Sequence, residues 1–288
     1  MRMDYLAIIV ITFLAGAVGT GLGGLIGVVL RRDSRKAVSF LLSFAAGIML
    51  AVVCFDLMSD PIEKMKLGEM PAYTPILVVA AVIAGYALIY LLNYAIDKHT
   101  DKEVKHIDPS HPATADDLDE LIHSNHMEVH KDKNNHLFVA GLVMLGAIAL
   151  HNMPEGMVIG ASYAGSADVA KNLFSGSGFI MAVVIGLHNI PEGMAVSTPL
   201  VSGGMSKTKA VFLSGLSGLP TVLGAVIGYA LGGIGDVMLT LSLGFASGAM
   251  LYVVFGELLP ESILMWKSKI PALALFSGLL MGFLLVMF

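Results

Sequence analysis

The chain has 288 residues, of which 56% are hydrophobic and only 14% charged, with a net charge of −5. A soluble domain carries about a quarter charged residues, so a water-exposed globule is excluded, and the acidic balance offers no surface for nucleic acid. One cysteine, Cys54, builds neither a disulfide framework nor a thiolate metal site within one chain.

Eight apolar runs, at about 5–30, 37–58, 73–96, 137–162, 173–201, 209–232, 236–259 and 270–288, are near or above the ~20 residues that cross hydrocarbon as a helix. They predict an all-α polytopic membrane protein, with residues 1–288 forming one transmembrane domain. No small-residue cleavage site precedes a polar segment in the first run, so we expect a retained helix and not a signal peptide. That run carries Ala15, Gly19, Gly23 and Gly27 at four-residue spacing, echoed by Gly224, Gly228 and Gly232 in the sixth run and Gly244 and Gly248 in the seventh. Such stripes let backbones approach closely in lipid, where no hydrophobic effect drives helices together.

The second run opens an internal repeat. Phe44-Ala45-Ala46-Gly47-Ile48-Met49-Leu50 matches Phe245-Ala246-Ser247-Gly248-Ala249-Met250-Leu251, and the same offset sets Asp56 against Glu257 and Asp60 against Glu261. Five crossings separate the second and seventh runs, so the copies point opposite ways, and the expectation is an inverted repeat of helices 1–3 and 6–8 around a central helix 4/helix 5 pair. Between the third and fourth runs, residues 97–136 hold seven of the nine histidines, ten acids and five lysines. This cytoplasmic His-rich loop is expected to be flexible, with weak metal binding as a second reading. Thirteen of the seventeen Lys and Arg fall on the side that becomes cytoplasmic when both termini are extracytoplasmic, the topology the positive-inside rule favours.

The fourth and fifth runs carry the chemistry. Leu150-His151-Asn152-Met153-Pro154-Glu155-Gly156-Met157 and Leu187-His188-Asn189-Ile190-Pro191-Glu192-Gly193-Met194 agree at seven of eight positions. On a helix, His and Glu four apart stack on one face about 6 Å apart, and the proline between them loosens the hydrogen-bond ladder beside them. A carboxylate at bilayer centre costs about 2.5–3.5 kcal/mol, so two of them with two imidazoles imply a functional site. Two carboxylates, two neutral imidazoles and a divalent cation form a nearly uncharged cluster, which is the cheapest way to hold these groups in low dielectric. Imidazole plus carboxylate suits Zn2+ first, with Fe2+, Mn2+ and Cd2+ as relatives, and suits Mg2+ or Ca2+ less. Asn152 and Asn189 offer neutral oxygens that bind or orient, and Met49 offers a soft thioether. The bland alternative is a hydrogen-bonded network that only joins helices.

The doubled His-Asn-x-Pro-Glu-Gly, Ala46-Gly47-Ile48-Met49-Leu50 and Glu257-Leu258-Leu259-Pro260-Glu261 resemble the ZIP family of divalent-metal transporters over nearly the whole membrane part. The resemblance implies a transport-site metal held by His151, Glu155, His188 and Glu192 with Met49 nearby. It also implies eight helices, both termini outside, and a metal as cargo with no organic cofactor. Two positions depart from many members: Gly256 stands where a His precedes the helix 7 Glu, and Leu219 stands where a Glu precedes the helix 6 proline. With only two carboxylates at the centre, a second ion beside the first would lack charge compensation, so one metal is expected.

The sequence thus reads as a transporter, not an enzyme, moving Zn2+ or a related ion into the cytoplasm by alternating access, in the plasma (cell inner) membrane, and compatible with a homodimer. Asp56 and Asp60 are assigned to the uptake side of the pathway, and Glu257 and Glu261 to the release side, as acids at helix ends. The rival is an intramembrane metal-dependent hydrolase, although the His-Glu-x-x-His helix it usually uses is absent. A metal-gated receptor or channel is a third reading. No Gly-x-x-x-x-Gly-Lys-Ser/Thr loop is present, and nothing in the chain couples to ATP.

Overall fold

The computed structural model describes residues 2–29, 35–100, 133–164, 169, 171 and 173–287. Residues 101–132 lie outside this set, and with them most of the His-rich loop. All regular structure among the described residues is helical. The rods are α1 (Asp4–Val29), α2 (Lys36–Lys66), α3 (Thr74–Thr100), α4 (Lys133–Ala164), α5 (Gly176–Ser202), α6 (Lys207–Gly232), α7 (Asp236–Met265) and α8 (Ile270–Met287). Seven helices among the described residues, all but α4, are long and apolar enough to cross a bilayer. The chain is therefore an integral membrane protein. The 32-residue α4 carries the first motif.

Small residues decide who pairs with whom. Four intimate pairs form, α1 with α5, α4 with α6, α2 with α8 and α3 with α7. In each, glycine lets one backbone lie on the other: Gly23 meets Ile190 O, Gly224 meets Met153 O, Gly278 meets Phe44 O and Gly248 meets Val82 O. The contacts climb together along both chains (Gly19, Gly23 and Gly27 against Gly186, Ile190 and Met194), so the pairs are parallel. Lipid tails are as apolar as leucine, so this close fit, rather than burial of oily surface, holds the pairs together.

The motif glycines belong to the same device. A Cβ on Gly156 would run into Thr221 O of α6, and one on Gly193 into Thr20 O of α1. Two groups result, α1, α4, α5 and α6 on one side and α2, α3, α7 and α8 on the other, with α2 and α7 reaching across to α5 and α4. Serine hydroxyls tie α2 to α7: Ser39 Oγ donates to Ser262 O at 2.6 Å, and Ser262 Oγ donates to Ser39 O at 2.6 Å. The most exposed rods are α3 and α8, only 17% and 22% buried over their most apolar stretch.

Three rods contain a wide, five-residue-spaced turn: Leu14–Val18 in α1, Val53–Leu57 in α2 and Val253–Leu258 in α7. In α2 and α7 a proline explains its place. Pro61 and Pro260 lack an N–H, and the carbonyls they cannot serve, Leu57 O and Gly256 O, lie inside the wide turn. The helices consequently run on to Lys66 and Met265 rather than ending near 58 and 259. The motif helices show no wide turn of their own. Although Pro154 and Pro191 sit inside them, α4 and α5 are continuous, and the irregular turns fall on the neighbours that clasp them.

Gly156→Ala and Gly193→Ala are expected to lower stability by about 1–3 kcal/mol each, because backbone must move to admit the methyl group. Gly21→Ala, whose Cβ would meet Gly215 Cα at an ordinary 3.6 Å, is the control. Thermal melts of detergent-solubilised variants check this, and equal melting of all three would contradict it.

Candidate metal centre

Four residues apart on α4 and again on α5, each His and Glu share a face. The two faces meet with opposite polarity, so that His151 of α4 stands against Glu192 of α5, and Glu155 stands against His188. Glu192 Oε1 lies between the two imidazoles, 3.0 Å from His151 Nε2 and 2.9 Å from His188 Nε2. Glu155 Oε1 lies 3.2 Å from His188 Nε2. None of the four residues is more than 2% exposed.

This cluster is not self-sufficient. Neither oxygen of Glu155, nor Glu192 Oε2, nor His188 Nδ1 has a hydrogen-bond partner among the described residues. Buried carboxylate oxygens without donors are costly, and more so in pairs. A cation between them removes that cost. One ligand atom each from Glu155, His188 and Glu192 lie within 4.8 Å of one another, a spacing that bonds of about 2 Å reach with a small inward shift. His151 Nε2, in contact with Glu192, stands beside these three as a fourth atom able to bind, the second nitrogen of the cluster.

The asparagines have other duties in this structure. Asn152 Nδ2 donates to Ser217 O at 3.1 Å and its Oδ1 accepts from Thr221 Oγ1 at 3.3 Å. Asn189 Nδ2 donates to Ala15 O at 3.0 Å. Both carbonyls belong to irregular backbone, Ser217 just before the break at Gly218–Leu219 of α6 and Ala15 inside the wide turn of α1. Each motif Asn thus satisfies a carbonyl that the irregular backbone leaves short of a donor. Ser214, which sequence reading passed over, sends its Oγ toward Thr20 O at 2.9 Å and Gly193 O at 3.0 Å, joining α6 to α1 and α5 behind the site. Its only sequence signal is its place in the Leu213-Ser214-Gly215 echo of Leu14-Ala15-Gly16.

Met49 is buried on α2, which packs against α5. Asp56 is half-buried in the wide turn of α2. The side chain of Asp60 lies outside the described residues. Glu261 is half-buried near the end of α7. Glu257, expected at a helix end, instead lies in the wide turn of α7 with Oε2 3.2 Å from His151 Nδ1. The continuation of α7 to Met265 is the reason: the acid is one wide turn inside the rod and reaches the central site.

Asn189→Ala strands Ala15 O and is expected to cost about 1–3 kcal/mol of stability, while zinc affinity falls less than in His188→Ala. Paired melting and metal-titration measurements check this. Affinity loss in Asn189→Ala matching that of His188→Ala would make the amide a ligand instead.

The chain is similar to known proteins over nearly its whole length. The model of the family described as ZIP zinc transporter matches residues 3–288. The zinc transporter ZupT of Chlorobium limicola is 32% identical over 282 residues, covering 97% of this chain and 95% of that protein. ZupT of Clostridium perfringens is 30% identical over 278 residues (93% and 91%), and ZupT of Campylobacter jejuni is 32% identical over 285 residues (93% and 91%). With the family match running over nearly its full length, the chain belongs to the ZIP family of zinc transporters.

Proposed function

We propose that the protein carries Zn2+, or a related first-row divalent ion, into the cytoplasm by alternating access through the cluster of His151, Glu155, His188 and Glu192, with Met49 as an adjacent soft donor. The observation that carries this is the pair of fully buried glutamates, three of whose four oxygens lack a hydrogen-bond partner among the described residues, set against two imidazoles between membrane helices. The relatives named as zinc transporters support the cargo. In this reading Asp56 and Asp60 line the uptake side, and Glu257 and Glu261 the release side. Asn152 and Asn189 orient helices around the ion.

The finer architecture belongs to the same proposal: α4 as an eighth crossing, both termini extracytoplasmic, and an inverted repeat relating α1–α3 to α6–α8. The pairing supports the repeat. Exchanging 1 for 6, 2 for 7, 3 for 8 and 4 for 5 turns the α1–α5 and α2–α8 pairs into α6–α4 and α7–α3. The wide turns at Val53–Leu57 and Val253–Leu258 also recur at the repeat offset. The plasma membrane is the proposed location, where an inside-negative potential favours entry of two charges by about 4.6 kcal/mol per 100 mV. In a homodimer, a second copy would pack on α3 or α8, the most exposed rods.

Glu155→Ala and Glu192→Ala are expected to abolish 65Zn2+ uptake into proteoliposomes while leaving the protein folded, because one carboxylate cannot neutralise the ion. Uptake by the unaltered protein should follow the metal gradient without nucleotide. Wild-type rates in both glutamate variants, or an absolute need for ATP, would overturn the proposal. Metal stoichiometry should be one per chain, since Glu155 and Glu192, even with Glu257 beside His151, leave a second divalent ion undercompensated. Two comparably tight ions by calorimetry would refute this.

A further inference from the structure

His151 differs from His188 in what its second ring nitrogen meets. Among the described residues neither His151 Nδ1 nor His188 Nδ1 has an aligned hydrogen-bond partner, and the difference lies in the carboxylate beside the first. His151 Nδ1 lies 3.2 Å from Glu257 Oε2, an oblique contact rather than an aligned hydrogen bond, while its Nε2 lies 3.0 Å from Glu192 Oε1. A carboxylate at each end of one imidazole leaves that ring little freedom to rotate. Glu257 keeps 13% of its side chain exposed while reaching a His that is 1% exposed. Its repeat counterpart, Asp56, is one methylene shorter.

We infer that Glu257 is a positioning residue for the metal centre: it holds His151 by Nδ1, so that Nε2 is presented to the cation. The inference rests on the metal reading of the cluster. A metal-bound imidazole that donates its other N–H to a carboxylate gains a fixed tautomer and orientation, and loss of such a partner weakens metal binding by about 10–100-fold. The wide turn of α7 is what makes the reach possible, because an extra residue in the turn re-aims the following side chains by about one helical position. Glu257 therefore joins the release end of α7 to the transport site through a ligand, in addition to bordering the pathway. His188 has no such brace, and the two imidazoles of the doubled motif are unequal in stiffness.

The test is a double-mutant cycle on the full-length, detergent-solubilised protein, reading equilibrium Zn2+ affinity by chelator competition and thermal melting in parallel. Glu257→Ala should weaken zinc binding about 10–100-fold in the unaltered background. Combined with His151→Ala it should add little, because the group it orients is gone. Glu257→Gln keeps an oxygen that accepts from Nδ1–H and should restore most of the affinity, which a purely electrostatic role would not allow. Equal losses from Glu257→Ala with and without His151 would overturn the inference while leaving the site intact. No loss in His151→Ala itself would overturn the metal reading of that residue, and the inference with it.

Discussion

Four ionisable side chains shut inside a bundle of apolar helices set the terms for everything around them. Glutamate in such a place survives only among donors or cations, and here both imidazoles meet Glu192 Oε1 while Glu155 has no more than a 3.2 Å contact with His188. His151 against Glu192 and His188 against Glu155 require α4 and α5 to run antiparallel at one register; a slip of one residue would turn each side chain by about 100°, off the shared face. The remaining helices hold that register. Gly156 and Gly193 admit α6 and α1 to backbone contact directly behind the glutamates, and Asn152 and Asn189 fasten those two helices by their irregular turns.

Irregular backbone is expensive in a membrane unless a neighbour satisfies it, and its location here follows that rule. The turns that break the ladder lie on α1, α2, α6 and α7, the helices that touch the motif pair, where amides and prolines account for several of the freed groups. The motif helices stay α-helical through their own prolines, each of which still removes one ladder bond. The four ionisable side chains therefore ride on rods without wide turns, and the irregular turns are placed one layer out. Wide turns of this kind recur at functional sites, because they change the aim of side chains without ending a helix.

What was legible in the sequence was what depends on near neighbours in the chain. Four-residue spacing put His151 over Glu155, and four-residue glycine stripes announced close helix contacts. The doubled motif identified both the chemistry and the family. What escaped depends on distant partners. Nothing near Asn152 signals that its amide is directed to Ser217, 65 residues on, or that Asn189 serves Ala15, 174 residues back. Glu257 was read as a helix-end acid because the apolar run fades near Leu259 and a proline follows. A wide turn absorbs that proline, and hydropathy carries no trace of such a turn. Ser39 and Ser262 carry no local signal for the same reason: their bond spans 223 residues.

The parallel pairing also governs how such a chain comes together during synthesis. Each intimate partnership joins rods two, four or six places apart, α4 to α6, α1 to α5, α3 to α7 and α2 to α8; none joins immediate neighbours. The first three rods therefore leave the ribosome with no partner yet made, and wait in the lipid as separate rods. The first glycine-lined seam closes only when α5 emerges, and the last, α2 with α8, closes only when translation is complete. A nascent chain cut short anywhere before residue 270 lacks the mate for α2. Quality control in the membrane thus has a simple signature to read: a glycine-striped helix still facing lipid.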